Sequence, residues 1–266
     1  MTLDPGNGGF CPVASGCYTS RSVRLACRKK VDGQGMITKL APFFRSSVFK
    51  KQLVAITGLI LVGFIIVHLA GNFILFLGPD AFNHYSATLH AVPELLWIAR
   101  VILIVSAIVH IYFTVVLTIE NRKSGGAGRY AVKATHGATN FAKKFMILTG
   151  LLLFFFLFLH RADFTIGEKT VEQTTLQGKD LGVFGLVWNS FLKPWRVPIY
   201  LAAVWCVGMH LSHGIQSLFQ SIGFYHDRYT PKIRGASLVL GAVIAAGFSL
   251  IPVYIIVRHL MGGPTV

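Results

Sequence analysis

Five long apolar runs, separated by polar and turn-rich segments, order this chain of 266 residues. They lie at about 51–77, 94–119, 144–161, 197–221 and 235–258. A helix needs about 20 apolar residues at 1.5 Å each to cross a hydrocarbon core of roughly 30 Å. The first run carries no charge from Gln52 to Gly78, which exceeds that length. The pattern predicts an all-α fold, an integral membrane bundle of five transmembrane helices. Pro252 in the fifth run predicts a kink, which membrane helices tolerate.

Residues 1–40 are rich in Gly, Ser, Cys and Arg and show neither an apolar period nor the apolar core of a signal peptide. They read as a disordered cytoplasmic N-terminal tail, with 41–266 as the membrane domain. A natural start at Met36 is the alternative reading. The glycine-rich SGGAGRY at 124–130 follows an apolar run, not a strand, and lacks the dinucleotide-binding spacing. It reads as a flexible loop.

Composition sharpens this picture. At 53% hydrophobic and 13% charged residues, the chain is outside the range of a soluble domain of its size. The net charge of +15 sits in segments flanking the apolar runs, so it speaks for topology and anionic lipid headgroups, not nucleic acid. Of the 25 Lys and Arg residues, eighteen fall on the side holding the N-terminus (side A) and six on the other (side B). The positive-inside rule then places side A in the cytoplasm. The four cysteines form no C-x-x-C pair, which argues against a zinc or iron–sulfur site. C-x-x-C-H is also missing, so any haem would be held without thioether bonds.

Histidines within the runs carry the candidate chemistry. An ionisable residue inside a bilayer costs free energy unless partnered, and it marks a functional site by default. His68 lies deep in the first run, ten residues after Thr57-Gly58. His160 stands at the same ten-residue spacing after Thr149-Gly150 in the third run. Each of these runs begins with a Lys-Lys pair, so the third repeats the first. His110 and His210 lie near the middle of the second and fourth runs. Alternating helix directions put His68 and His160 roughly 6 Å from the midplane toward side B. His110 and His210 fall roughly 2–5 Å toward side A. The depths predict two pairs, His68 with His160 and His110 with His210. No carboxylate stands beside them in the runs.

Two imidazoles from facing helices suit both axial positions of a haem iron, leaving no open site for oxygen. Two such b-type haems would form an electron path from one face to the other. The pairs would hold haem iron as His68/His160 and His110/His210. His213, three residues after His210, competes with it for the ligand role; Gly214 favours His210. Gly58, Gly63, Gly71, Gly150, Gly208 and Gly214 admit either porphyrin edges or close helix packing. A haem-free, proton-coupled transporter using histidine relays is a different reading of the same residues.

Other polar residues suggest partners. Arg100, six residues into the second run, needs a counter-charge that a haem propionate or a quinone oxygen would supply. Lys51, Lys143 and Lys144 are propionate candidates at side A, although lysines there also snorkel to the interface. The loop GPDAFNHYSATLHAVPE offers Asp80, Asn83, His84, Tyr85 and His90. Of these, His84, Tyr85 and His90 are candidates for a quinone headgroup.

The stretches KKQLVAITG, HLAGN, LGPDAFN, WIAR, LTG, FLH and MHLSHG together resemble the membrane cytochrome b subunit of succinate dehydrogenase/fumarate reductase, in its bacterial five-helix, two-haem form. The resemblance covers about residues 45–260. It implies a multi-pass subunit of the bacterial cytoplasmic membrane that anchors a flavoprotein subunit and an iron–sulfur subunit on the cytoplasmic side. It implies two haem b on His68, His110, His160 and His210, and electron exchange with a quinone, often menaquinone. Succinate chemistry itself would belong to the partner subunits. In some members a carboxylate in the loop after the first helix serves quinone chemistry; here that region offers His90. An anchor for another quinone-linked dehydrogenase or hydrogenase is the nearest alternative.

Overall fold

A computed structural model describes residues 46–124, 141–165 and 170–263. The tail with Cys11, Cys17 and Cys27, and most of the glycine-rich loop, lie outside the described residues. So do the side chains of Lys143 and Lys144.

The first run forms α1 (Ser47–Phe73), which tightens into a 3-10 turn at Ile74–Leu77. Gly78, at φ 105°, then reverses the chain into α2 (Pro79–His90), with Pro79 at its first turn. The second run forms α3 (Pro93–Ser124) and the third α4 (Phe141–Phe164). The intervening connection to the fourth run is structured. It contains the short α5 (Val171–Thr174), a two-stranded hairpin of β1 (Thr175–Leu176) and β2 (Lys179–Asp180), and α6 (Gly182–Phe191). The fourth run forms α7 (Arg196–Ser221) and the fifth α8 (Thr230–Leu260). Pro252 sits inside α8, which continues through it as one α-helix.

Four described helical stretches are long and apolar enough to cross a membrane: Ser47–Leu77, Pro93–Lys123, Phe145–Phe164 and Thr230–Leu260. α7 is not among them. Its second half carries His210, Ser212, His213, Gln216, Ser217 and Gln220. Packing explains why it can afford these groups. α7 touches α8, α4 and α1, while α3 lies outside against α1. Tyr200, Val204, Gly208, Leu211, Ser212 and Gln216 are buried in those contacts. A helix surrounded by protein can carry polar side chains that lipid would penalise. The lipid-facing helices show the opposite pattern, with Ile102, Val105, Ile108 and Tyr112 of α3 exposed.

α7 and α8 approach closely because both carry glycine at the crossing. A Cβ on Gly208 would come within 2.7 Å of the Gly241 carbonyl oxygen. These two glycines serve helix packing.

The largest buried cluster lies where α1 ends. Leu75, Phe82, Leu181, Phe184, Val187, Trp188, Phe191, Tyr200, Ile251 and Ile255 pack together there. α2 and α6 therefore form an apolar cap across that end of the bundle. Asn83 fastens it: its Nδ2 donates to the Leu181 carbonyl at 2.8 Å, and its Oδ1 accepts from the Phe184 N–H at 3.1 Å.

Candidate functional site

Two of the four histidines singled out in the sequence meet directly. The His68 and His160 rings, from α1 and α4, have centroids 5.8 Å apart and planes at 84°. His110 of α3 and His210 of α7 each face a Thr-Gly pair of the apolar helix before it.

Each Thr-Gly pair of the internal repeat forms the seat of a histidine from the following apolar helix. Thr57 Oγ1 lies 3.2 Å from His110 Nδ1. Thr149 Oγ1 lies 3.3 Å from His210 Nδ1. The adjacent glycine makes room for the ring. A Cβ on Gly58 would stand 3.2 Å from His110 Cε1, and one on Gly150 would stand 3.4 Å from His210 Cε1. The repeat is therefore a two-residue device used twice. These two glycines accommodate imidazoles, and Gly71 accommodates the Tyr85 hydroxyl. Gly63 has no atom near its missing Cβ.

The hydrogen bonds also determine the tautomer. Thr57 donates its single proton to the Leu53 carbonyl at 2.7 Å, so its oxygen is left to accept. His110 Nδ1 also faces the Val54 carbonyl at 3.2 Å, and a carbonyl can only accept. Nδ1 thus carries the proton, and Nε2 has the free lone pair. Thr149 Oγ1 lies 3.0 Å from both the Phe145 and the Met146 carbonyl; its one proton, given to either, leaves the oxygen to accept from a His210 Nδ1–H. A metal-binding histidine ordinarily uses one nitrogen as ligand and donates from the other. His210 occupies the second seat; His213 lies three residues further along α7.

The other pair has an aromatic setting. Phe64 stacks on His68 at 5.2 Å and Phe248 lies 5.8 Å away. Phe156, Phe164 and Tyr200 surround His160 at 5.7, 5.4 and 6.1 Å. The Asn72 amide stands over His68, 3.4 Å from both ring nitrogens, and donates to the His68 carbonyl at 2.8 Å. Among the described residues, His160 Nδ1 is buried with no hydrogen-bond partner.

These donors fit a metal held from two opposite sides. Imidazole–metal bonds of about 2 Å place the centroids of two rings flanking one ion roughly 6 Å apart. The His68–His160 separation of 5.8 Å matches that spacing and also that of an edge-to-face ring contact. Among the described residues, no third His, Cys, Asp or Glu joins either pair to make a metal-binding group. An ion at such a pair takes its remaining ligands from outside the protein, as iron does from a porphyrin. The residues present therefore fit haem.

A carboxylate does lie near the histidines, contrary to the reading of the apolar runs. α4 extends to Phe164, so it includes Asp163, one turn beyond His160. Asp163 accepts from Arg196 Nη2 at 2.6 Å and from the Tyr200 hydroxyl at 2.8 Å. Tyr200 in turn packs on His160. A polar residue one turn past a membrane histidine was the available sequence signal; the fold that brings Arg196 to it was not visible there.

Other candidates are scattered. The Arg100 guanidinium lies over Trp97 of its own helix, 5.2 Å from the ring centroid. Lys51 is exposed, while its neighbour Lys50 pairs with Glu120 and ties α1 to α3. His84 and His90 are exposed on α2, where His90 Nδ1 donates to the Ser86 carbonyl at 2.7 Å. Tyr85 is half-buried and reaches α1 at Gly71, three residues past His68. His90 also borders an open cavity of about 560 Å³ with Asn83, Asp180 and Gly182.

Residues 132–249 match the family model described as succinate dehydrogenase/fumarate reductase transmembrane subunit. The match supports that family. The matched span contains His160, His210 and the second Thr-Gly seat; His68 and His110 precede it. No curated protein and no solved structure matches the chain.

Proposed function

We propose that the chain is the membrane anchor and dihaem electron-transfer subunit of a succinate:quinone oxidoreductase. The observation that carries this reading is the meeting of His68 with His160, together with the matching Thr-Gly seats of His110 and His210. The family match and the long apolar helices support the anchor role.

In this reading α7 is a fifth span, with the N-terminus and side A in the cytoplasm of a bacterial cell. His110 and His210 hold one haem b near side A. His68 and His160 hold the other near side B. Haem with both axial positions filled by histidine supplies one-electron transfer and excludes oxygen binding. Thr57 and Thr149 orient ligands, and aromatic rings line the His68/His160 pair. The cap of α2 and α6 keeps water from that end. The flavoprotein and iron–sulfur subunits dock on side A, and a quinone, menaquinone in this reading, exchanges electrons near side B. Tyr200, which packs on His160, Asp163, which accepts from Tyr200, and Tyr85, which reaches α1 at Gly71, are protonatable groups near the His68/His160 pair.

The test is purification from native membranes under mild detergent. A flavoprotein and an iron–sulfur protein should accompany the chain, with succinate-dependent quinone reduction. Co-purification of hydrogenase or formate dehydrogenase subunits instead would contradict the reading.

A further inference from the structure

The two seats have a consequence beyond ligand placement. Thr57 and Thr149 are nearly fully buried, at 7% and 4% exposure, so neither hydroxyl can exchange its bonds with water. Thr57 gives its proton to a carbonyl of its own helix and accepts from His110, whose Nδ1 also faces a carbonyl; Thr149 has two such carbonyls at 3.0 Å and is placed to do the same for His210. An Nδ1–H held by an acceptor makes the opposite nitrogen a stronger electron donor. A stronger donor stabilises the oxidised metal, and hydrogen bonding to ligands is one of the protein's means of tuning haem potential. Among the described residues the other pair has no equivalent threonine: Asn72 faces His68, and His160 Nδ1 is buried with no hydrogen-bond partner.

We propose that Thr57 and Thr149 are positioning residues that hold His110 and His210 as Nδ1–H tautomers and lower the midpoint potential of the haem these two histidines bind. The inference rests on the dihaem reading. The two threonines are not equivalent. His110 Nδ1 has the Val54 carbonyl as a second acceptor at 3.2 Å, so it keeps a partner when Thr57 is lost. His210 Nδ1 relies on Thr149.

The experiment compares Thr57→Val, Thr149→Val and the double variant with Thr57→Ser and Thr149→Ser, each in the full chain within its native complex. Readouts are haem per polypeptide, equilibrium redox titration of both haems, and the low-spin signals of the oxidised haems by electron paramagnetic resonance. Valine keeps the shape and removes the acceptor; serine keeps the acceptor. Losing an outer-shell hydrogen bond typically changes metal-site properties about tenfold. The expected shift is thus about tenfold toward reduction in one haem, equivalent to about 59 mV for one electron. Thr149→Val should shift more than Thr57→Val, the serine variants should match wild type, and the second haem should stay in place. If valine variants lose one haem and serine variants keep both, the positioning role also stands. Unchanged potentials in the double variant with two haems present would overturn the inference. Equal shifts of both haems, or haem loss from the serine variants, would do the same. A wild-type protein without haem would refute the dihaem reading itself.

Discussion

Gly58 lies beneath the imidazole of His110, close enough that an added Cβ would stand 3.2 Å from Cε1. Gly150 repeats the relationship with His210 at 3.4 Å. In both cases the space that a side chain would fill is taken by a ring from another helix.

Substitution at Gly58 should therefore act on His110 and not on helix stability. Gly58→Val should displace the ring and remove or distort the haem of the His110/His210 pair. Gly63→Ala, with open space around its Cβ, should leave both haems intact. Haem content and the absorption spectrum of the purified variants decide this. Equal effects of the two substitutions would show that the ring does not occupy this seat.

The histidines themselves should separate into two independent pairs. His68→Ala should leave one haem per chain, held by His110 and His210, and abolish quinone reduction. His210→Ala should also leave one haem, whereas His213→Ala should leave two. Pyridine haemochrome counts give the answer. A one-haem His213→Ala protein would transfer the ligand role from His210.

Asp163 and Arg196 form a buried ion pair, with side chains 6% and 13% exposed. Removing one member of such a pair leaves an uncompensated charge and costs about 3 kcal/mol. Asp163→Asn should thus lower the unfolding temperature of the detergent-solubilised protein clearly. Glu120→Gln breaks the Lys50 pair, where the carboxylate is 43% exposed, and should cost about 1 kcal/mol or less. Similar shifts in the two variants would contradict the assigned burial.

The cap provides a pH test. The Thr174 hydroxyl near the exposed Asp180 carboxylate, and the Gly182 N–H that donates to it at 2.9 Å, hold its pKa below the usual range. A depressed carboxylate pKa means that its contribution is fully present above the unfolded value of about 3.9 and is lost as pH falls through the folded value. Protease resistance at the Gln177-Gly178 turn should stay flat from about pH 8 to about pH 5 and fall only in stronger acid. Asn83→Ala should weaken the cap at every pH. It removes a side-chain acceptor from the Phe184 N–H and a donor from the Leu181 carbonyl, at a cost of about 1–3 kcal/mol. Resistance that declines between pH 8 and pH 5 in wild type would refute the Asp180 account.

The long helices were legible because a bilayer requires continuous apolar length, and the chain supplies it in α1, α3, α4 and α8. α7 was legible as a run, although its central position lets it carry polar groups that lower its apolar content. That His68 and His160 stand at one height was legible, since equal spacing from Thr57-Gly58 and Thr149-Gly150 sets it, and their rings meet. What the Thr-Gly pairs touch was not legible, because the contact crosses between helices. The cap was missed as well. α2 has few long apolar residues, and α6 is only 10 residues long, so neither produces a membrane-like signal. Asn83 stood out only as a polar residue of the loop that carries the quinone candidates, and its side chain fastens α6.

The most direct test of the account is a reduced-minus-oxidised absorption spectrum of the purified protein, with haem counted per polypeptide. Two low-spin b-type haems per chain are predicted. No haem would contradict the four-histidine account and favour a transporter, and a single haem would mean that one of the two pairs binds none.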